Sequence, residues 1–433
     1  MPKFITALSK LCKSYFGNRT WRQEITHRAG KGIRVNTVDK ETLSVVEVIS
    51  FDISGGGGTE RYLESLNRAL LSREKMRIHI LYPAQGEHSV NEEKFGKGVI
   101  IHHRIMVKPS KLLSSFSLLN KIQQIYEAIV VIAQKEHIHV IHSHTPFFAP
   151  TWIIASWRAS RHLGIPCIAT SHNVLSSPAV GFLAYCIVNM LIARGLYMTG
   201  VCEETLRGIL GAKPAIGSGI DTTFFDPHNV SAGDIREFKT RNELSDSPLI
   251  FYPAHILKNK GQMDLIRVTK KLLEDGVELQ TLLMGHELDK KYANCLHAEI
   301  MRLKLQNLVK IIPHDTPKKV RIGYATSSIV VFPSYDEALG LVALEAAAME
   351  RPVVAYNAGG LRESVIHGTN GYIARKGDVD TMCRYVKKLL QDDCLRSNMG
   401  KNGRKFVKRL YDVMVLADRH LKLYSELASK KQA

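Results

Sequence analysis

The order of apolar and polar residues predicts short strands alternating with longer helices through most of the chain. Apolar runs rich in β-branched residues, typical of buried parallel strands, occur at 44–50, 77–82, 138–142, 249–252, 279–285, 309–312, 329–332, 353–356 and 371–374. Helical patterns lie between them, for example at 118–135 and 382–390, and the tail from 402 to 427 is also helical. Such alternation indicates an α/β fold with doubly wound parallel sheets.

The most informative stretch follows the strand at 329–332. Pro333 and Ser334 break the strand, and after Gly340 the composition changes to strong helix formers. The start of such a helix offers unpaired N–H groups and a positive dipole end, which can hold a phosphate. Glu337 lies in the loop and Glu345 about two turns up the helix, so both can reach the carboxyl end of a parallel sheet, where these folds bind ligands. The residues alone leave open that both are solvated charges.

Two other loops carry candidate chemistry. Four glycines at 55–58 follow the first strand, and a glycine-rich loop lets the backbone approach a phosphate, although the Gly-x-Gly-x-x-Gly spacing is absent. His142, His144 and His172 end two later strands and could together hold a metal ion. We predict no metal there, because no carboxylate or cysteine stands beside them in the sequence.

Length and composition limit the class of protein. A chain of 433 residues predicts two or three domains, and 45% apolar with 23% charged residues is ordinary for a globular protein. The net charge of +18 favours anionic partners such as nucleotides, phospholipid surfaces or nucleic acid. Seven cysteines without a Cys-x-x-Cys pair indicate reduced thiols, and therefore a cytoplasmic protein without a disulfide framework.

Two segments raise the question of membrane contact. Residues 1–34 contain eight Lys or Arg against Glu24 alone, with apolar residues at helical spacing. Such a basic amphipathic helix could bind the anionic cytoplasmic face of a membrane, and a capping helix or a basic tail is the alternative. The uncharged segment 174–193 is interrupted by Pro178, so its apolar run is shorter than the roughly 20 residues of a membrane helix. We expect a buried or cleft-lining helix there.

The two glutamates with seven residues between them, following Phe332-Pro-Ser and preceding Arg351-Pro and Asn357-Ala-Gly-Gly, resemble the retaining glycosyltransferases of family 4 (glycosyl transferases group 1). The resemblance covers about residues 44–425. It implies a GT-B fold, in which two facing Rossmann-like domains enclose an interdomain cleft and the last helix returns to the first domain. The implied division is a basic N-terminal extension at 1–43, an acceptor domain at 44–215, a nucleotide-sugar domain at 216–405, and a crossover helix with tail at 406–433.

In the second domain the resemblance implies roles for named residues. Glu337 is implied to contact the donor sugar, Glu345 to hold the nucleotide ribose, and Lys260 to neutralise the leaving diphosphate. Backbone atoms of the helix start are implied to lie near the diphosphate, namely those of Ala338, Leu339, Gly340, Leu341 and Val342. His255 stands where the family has an arginine, which is always charged. Either His255 is protonated, or Lys258 compensates, or the enzyme is slow or inactive.

In the first domain the resemblance places Gly57, Gly58 and Glu60 in a loop that faces the donor diphosphate, with Glu60 toward the acceptor side. It implies that His144 approaches the donor sugar as a catalytic residue and that His172 lies near the acceptor pocket. No metal requirement follows, because Asp378-Val-Asp380 precedes a helix and predicts an N-cap rather than a metal-binding pair.

The implied activity is transfer of a sugar, with retention, from a nucleotide-diphosphate sugar to an acceptor hydroxyl. The acceptor is expected to be a glycan or a lipid-linked molecule. The basic charge and the amphipathic start favour a lipid-linked or membrane-borne acceptor, as in surface polysaccharide or glycolipid assembly. One alternative is an inactive GT-B protein acting as a binding partner or scaffold, which His255 would support, and another is a nucleotide-sugar epimerase of the same fold. A nucleic-acid-binding protein would also suit the charge, but no nucleic-acid module is recognisable, so we expect no such partner.

Overall fold

A computed structural model describes residues 42–51, 58–83, 88–107, 115–144, 150–172, 186–193, 195–206, 209, 211–212, 215–313 and 316–429. The chain forms two compact units. Unit 1 comprises Met1–Gly200, Leu206–Ile216 and Ala417–Ala433, and unit 2 comprises Val201–Thr205 and Gly217–Leu416. Residues 1–34, for which membrane contact is one alternative, and most of 174–193, expected to form a buried or cleft-lining helix, lie outside the described residues.

Unit 1 contains a seven-stranded sheet in the order β3-β4-β2-β1-β5-β6-β7. Its strands are β1 Leu43–Ile49, β2 Met76–Pro83, β3 Ser89–Phe95, β4 Gly98–Ile105, β5 Val140–His144, β6 Cys167–Ser171 and β7 Tyr197–Gly200. Every neighbouring pair is parallel except β3 and β4. The parallel register of β1 and β5 sets Glu47 opposite His142, so two polar residues of central strands share one face.

Three helices of unit 1 have described bounds, α1 Gly58–Arg73, α2 Ser115–Lys135 and α3 Pro150–Leu163. The apolar stripe of α1 is buried, including Tyr62, Leu63 and Leu66. Helix α2 begins at Ser115, three residues before the predicted start, because strand and helix ends are poorly defined by apolar periodicity alone. A further helical run occupies 186–192.

Unit 2 contains a six-stranded parallel sheet in the order β10-β9-β8-β11-β12-β13. Its strands are β8 Leu249–Pro253, β9 Gln280–Met284, β10 Val309–Ile312, β11 Ile329–Phe332, β12 Val353–Tyr356 and β13 Gly371–Ala374. Its helices are α4 Ala232–Arg241, α5 Gln262–Glu274, α6 Lys290–Arg302, α7 Pro317–Thr326, α8 Leu341–Ala348, α9 Leu361–Ser364, α10 Val379–Gln391 and α11 Asp393–Leu410. The strand order reverses between β8 and β11, and ligands of open α/β sheets bind at the carboxyl ends of such strands.

The C-terminal tail is two helices rather than the single helix that the sequence predicts. After α11 ends at Leu410, α12 spans Val413–Ser429. The side chain of Asp412 accepts a hydrogen bond from the backbone N–H of Met414 and another from Thr222, so it separates the helices. From Ala417 onward α12 belongs to unit 1, where Tyr424 hydrogen-bonds His142, and the predicted return of the last helix to the first domain is confirmed.

Smaller predictions can also be compared with the described residues. Asp378 caps α10 by accepting a hydrogen bond from the N–H of Thr381, as predicted, and this contact lowers the pKa of Asp378. The six cysteines in the described part of the chain are free thiols. Among the described helices, none is long and apolar enough to cross a membrane.

Candidate functional site

In unit 2, the loop after β8 and the loop after β11 are held against each other. The backbone N–H of Tyr335 donates to the carbonyl of Asn259 over 2.8 Å. Gly261 has φ of +70°, and a Cβ there would collide with the carbonyl oxygen of Pro333. The result is that Lys260 Nζ lies 2.6 Å from Glu337 Oε2, so two residues predicted to be catalytic form an ion pair.

The surroundings of this pair keep it partly desolvated. The side chains of Lys260 and Glu337 are 21% and 18% exposed, which leaves each accessible to a ligand. The hydroxyl of Ser334 donates to Glu337 Oε2 over 3.3 Å, and the hydroxyl of Tyr252 donates to the carbonyl of Lys260. Burial, followed by the charge of Glu337, raises the pKa of Tyr252, so its hydroxyl remains a donor. Ser334 and Tyr252 were not among the predicted site residues.

The expected glycine turn after β12 supports the backbone of the Glu337 loop. The N–H of Gly360 donates to the carbonyls of Ala338 over 2.9 Å and Glu337 over 3.3 Å. The thiol of buried Cys202 also donates to the carbonyl of Ala338, at 3.0 Å. Gly359 has φ of +50° and lies so close that a Cβ would collide with the carbonyl oxygen of Glu337. This turn therefore fixes the position from which the Glu337 side chain projects.

Helix α8 starts at Leu341, directly after the left-handed residue Gly340. A side chain at Gly340 would collide with Leu361, which explains the glycine. The carbonyl of Gly340 already accepts from the amides of Ala343 and Leu344. The preceding amides, those of Leu341 and Val342, stand at the positive end of the helix, where no intrahelical acceptor exists. This helix start has the chemistry of an anion site.

Glu345 is buried on α8, and the hydroxyl of Tyr324 donates to its Oε2 over 2.8 Å. The same hydroxyl lies 3.3 Å from the carbonyl oxygen of Val342. Tyr324 belongs to α7, so a neighbouring helix orients the carboxylate that the resemblance assigns to the ribose. The sequence did not indicate Tyr324, because the contact joins two helices of different βα units.

His255 follows β8 at the position of the missing arginine. Its carbonyl accepts from Gln262 Nε2 over 2.8 Å, and its ring stacks on that of His286 with centroids 5.9 Å apart. Lys258, the alternative cation, is exposed and begins a 3₁₀ turn that ends at Lys260. Which of these residues supports the diphosphate stays a prediction.

In unit 1, His144 is fully buried between two partners. Its Nδ1 lies 3.1 Å from His172 Nε2, and its Nε2 lies 3.7 Å from Glu47 Oε1. Glu47 Oε2 accepts from Asn67 Nδ2 over 2.7 Å. The premise that no carboxylate stands beside these histidines is therefore wrong, because parallel pairing brings Glu47 from a strand distant in sequence. The implied contact of His144 with the donor sugar, and of His172 with the acceptor, stay predictions.

One ligand atom from each of Glu47, His142 and His144 lies within 4.8 Å of the others, a spacing that a metal ion could use. Both ring nitrogens of His142 are engaged, however, with Tyr424 and Thr170 at 2.7 Å each. Burial lowers the pKa of His142 and of His172 well below the ordinary value, so both are neutral. The absence of a bound metal stays a prediction.

The glycine-rich loop is only partly within the described residues. Gly57 lies outside them, whereas Gly58 is the first residue of α1 and Glu60 lies half-buried in its first turn. Their implied positions facing the donor and the acceptor stay predictions.

Comparison with known proteins shows what the whole chain resembles. Residues 56–195 match the model of Glycosyltransferase Family 4, and residues 234–406 match that of Glycosyl transferases group 1. The capsular polysaccharide biosynthesis glycosyltransferase CapM of Staphylococcus aureus is 27% identical over 196 residues, which are 45% of this chain and only 50% of CapM. The uncharacterized glycosyltransferase MJ1178 of Methanocaldococcus jannaschii is 27% identical over 379 residues, covering 86% of this chain and 95% of that protein.

Among solved structures, Anabaena HepE in complex with UDP-glucose matches with a TM-score of 0.69 at 18% identity, covering 88% of this chain and 99% of HepE. The two matched family models define an enzyme that transfers sugars from nucleotide sugars. The chain belongs to glycosyltransferase family 4, with the predicted GT-B fold and EC class 2.4.

Proposed function

We propose that the protein transfers a sugar, with retention of anomeric configuration, from a nucleotide-diphosphate sugar to a hydroxyl of a glycan or lipid-linked acceptor. The observation that carries the proposal is the Lys260–Glu337 ion pair beside the start of α8, with Glu345 further along the same helix. A cation, an anion-binding helix start and two carboxylates are the groups that a sugar diphosphate requires.

Each group has one task in this proposal. The diphosphate accepts hydrogen bonds from the amides at the start of α8, and Lys260 exchanges its contact with Glu337 for one with the phosphate. Glu337 is then free to accept hydrogen bonds from the sugar hydroxyls. Glu345, already oriented by Tyr324, accepts them from the ribose. His255 or Lys258 adds positive charge at the second phosphate.

The chemical step breaks the bond between the anomeric carbon and the diphosphate oxygen. The acceptor oxygen forms its new bond to the same face of that carbon, and its proton passes to the leaving phosphate. No enzymic nucleophile is needed. Lys260 and the helix start stabilise the negative charge that grows on the diphosphate, and such preorganised stabilisation is usually the largest catalytic term.

Relatives support a narrower proposal for donor and acceptor. HepE binds UDP-glucose and CapM acts in capsular polysaccharide biosynthesis, so we expect a UDP-sugar donor and a role in surface polysaccharide or glycolipid assembly. The net charge of +18 suits attachment to the cytoplasmic face of an anionic membrane through residues 1–34, with His172 and Glu60 on the acceptor side.

The test is a panel of UDP-, GDP- and ADP-sugars, measured by thermal shift and by release of nucleotide. One donor should raise the melting temperature and be slowly hydrolysed, and NMR of the released sugar at early times should show the donor's anomeric configuration. Inversion would contradict the retaining mechanism. Failure of every nucleotide to stabilise the protein would contradict the assignment of Glu337 and Glu345.

A further inference from the structure

Asp264 is a buried carboxylate in the first turn of α5, four residues after Lys260. Only 5% of Asp264 is exposed, and its backbone N–H donates to the carbonyl of Gly261 over 2.9 Å. Because α5 starts directly after Gly261, this carboxylate is fixed to the loop that carries Lys260. Aspartate is rarely buried unless it is paired, so the partners of Asp264 indicate what it does.

Two tyrosine hydroxyls donate to the same oxygen of Asp264, its Oδ2. The hydroxyl of Tyr335 lies 2.5 Å from this oxygen, and that of Tyr356 lies 3.1 Å from it. The other oxygen, Oδ1, accepts from Arg267 Nη1 over 3.0 Å. Burial, followed by the hydrogen bond to Asp264, raises the pKa of Tyr335 to about 12, so this hydroxyl keeps its proton and donates at neutral pH. A hydrogen bond from a hydroxyl to a carboxylate is stronger than one between neutral groups.

Tyr335 lies in the loop after β11, two residues before Glu337, and it is held at three points. Its backbone N–H donates to the carbonyl of Asn259 over 2.8 Å, and its hydroxyl donates to Asp264. Its ring packs edge-on against that of Tyr356, with centroids 5.5 Å apart. These contacts leave Tyr335 little freedom, so they also restrict the backbone from which Glu337 projects.

The loop that carries Glu337 is therefore held on both sides of that residue. The turn at Gly359 and Gly360 contacts its backbone at Glu337 and after it, whereas Asp264 holds it two residues earlier. Asp264 belongs to the helix that follows Lys260, so its contact fixes one loop relative to the other. The relevant distance is the 2.6 Å between Lys260 Nζ and Glu337 Oε2. A misplacement of about 1 Å can lower an enzymic rate about 10²-fold.

We propose that Asp264 is a positioning residue for sugar transfer, which sets the place of Glu337 relative to Lys260 through the hydroxyl of Tyr335. The inference rests on the proposed function, because it takes Lys260 and Glu337 to act on the donor. Asp264 contacts neither the diphosphate nor the sugar in this proposal. It acts on the rate by keeping the cation and the carboxylate of the site at their working separation.

The test measures kcat for transfer in Asp264→Ala, Tyr335→Phe and the double variant. Asp264→Ala should lower kcat by about 10–10²-fold and Tyr335→Phe by less, because the phenylalanine ring keeps its packing. In the Asp264→Ala background Tyr335→Phe should have no further effect, since its hydroxyl has already lost the acceptor. Asp264→Asn retains an acceptor oxygen and should recover part of kcat.

Asp275→Ala is the matched control. Asp275 stands at the other end of α5, where it is 56% exposed and pairs with Lys387, so its removal should leave kcat unchanged. Calorimetry gives the Kd of the donor's nucleoside diphosphate. This Kd should stay near the wild-type value in every variant, because Lys260, Glu345 and the start of α8 are intact.

Thermal unfolding separates positioning from stability, and kcat is measured at a temperature at which every variant is folded. A lower melting temperature with wild-type kcat, an effect confined to the Kd, or losses of kcat that multiply in the double variant would each overturn the proposal. If Asp264→Ala does not fold, Tyr335→Phe decides alone, and a wild-type kcat in it would overturn the proposal. Wild-type transfer in Lys260→Ala and Glu337→Ala would instead contradict the proposed function.

Discussion

Lys260 Nζ lies 2.6 Å from Oε2 of Glu337, although the two residues are 77 positions apart. The family resemblance gives these residues different partners, the diphosphate for the lysine and the sugar for the glutamate. In the structure each satisfies the other, and both are about four-fifths buried. Donor binding therefore has to replace this ion pair with two contacts to the donor, one from each residue. The affinity for donor then reflects the free energy of the two new contacts minus that of the lost ion pair.

Lys260→Ala should lower kcat for transfer by about 10²–10³-fold, because it removes a charge that stabilises the departing diphosphate. It also leaves Glu337 partly buried without its cation. Glu337→Ala should abolish transfer while the circular dichroism spectrum stays that of the wild type. Steady-state kinetics with the identified donor measures both effects.

The matched control for the lysine is Lys290→Ala, whose side chain is 78% exposed and pairs only with Glu287 among the described residues. It should keep wild-type kinetics. Normal turnover in Glu337→Ala would remove the assignment of this residue. A Lys260→Ala effect confined to KM would show that the lysine binds the ground state and the transition state equally.

Glu345 and Tyr324 should act as a unit in nucleotide binding. Glu345→Gln should raise the Kd for the nucleotide diphosphate, because an amide accepts hydrogen bonds from ribose hydroxyls less strongly than a carboxylate. Tyr324→Phe removes only the orienting hydroxyl, so it should weaken the Kd by no more than about tenfold and lower the free energy of unfolding by about 1 kcal/mol.

Titration calorimetry of the two single variants and the double variant tests this coupling. If Tyr324 acts through Glu345, its effect should largely disappear in the Glu345→Gln background. Additive effects on Kd would instead mean that Tyr324 contributes to the site independently.

Gly359→Ala should lower transfer by displacing Glu337, because the added Cβ collides with the carbonyl oxygen of that residue. Gly368→Ala is the matched control. Gly368 also has a positive φ, +77°, but a Cβ there meets nothing within 4 Å. Both substitutions carry the left-handed backbone penalty of about 1–2 kcal/mol, so only the collision differs.

Thermal unfolding and kcat of both variants separate a loss of stability from a displacement of Glu337. We expect Gly368→Ala to keep the wild-type kcat and Gly359→Ala to lose most of it. Equal kcat values would show that the turn at Gly359 supports the fold but not the position of Glu337.

The sequence was sufficient for the parts of the fold that depend on local pattern. The apolar runs predicted most of the strands, although not β3, β4 or β7, and the change of composition after Gly340 placed the start of α8. The break at Asp412 depends on a local hydrogen bond from Met414 and on one from Thr222, almost two hundred residues earlier, and no local pattern encodes the second. In the same way Glu47 reaches His144 only through the pairing of β1 with β5, which no local pattern encodes.

His255→Arg should strengthen donor binding and make it independent of pH. An imidazole loses its charge at around pH 6.5, whereas a guanidinium stays charged and can bind phosphate with two donors. If His255 supplies charge to the diphosphate, the wild-type affinity should fall as the pH rises and the arginine variant should not show this fall. A Lys258→Ala variant that alone loses the affinity would assign the charge to Lys258 instead.

Unit 1 should lose stability as the pH falls below about 6.5, because its buried histidines resist protonation. Burial lowers the pKa of His142 and His172 well below the ordinary 6.5. In the unfolded chain each histidine takes up a proton as the pH falls through that value, whereas the folded chain keeps both neutral. The unfolded state then binds more protons, so the free energy of unfolding decreases by up to about 1.4 kcal/mol per pH unit for each histidine.

Trp152 and Trp157 lie on α3 of unit 1, so the change in their fluorescence follows the urea unfolding of this unit. His142→Gln removes one proton-binding group from this balance. Its free energy of unfolding should therefore fall less steeply between pH 6.5 and pH 5 than that of the wild type. Above pH 7.5 the two curves should run parallel, because neither state of either protein is protonated at this position. Curves that stay parallel down to pH 5 would mean that His142 takes up its proton in the folded protein as well.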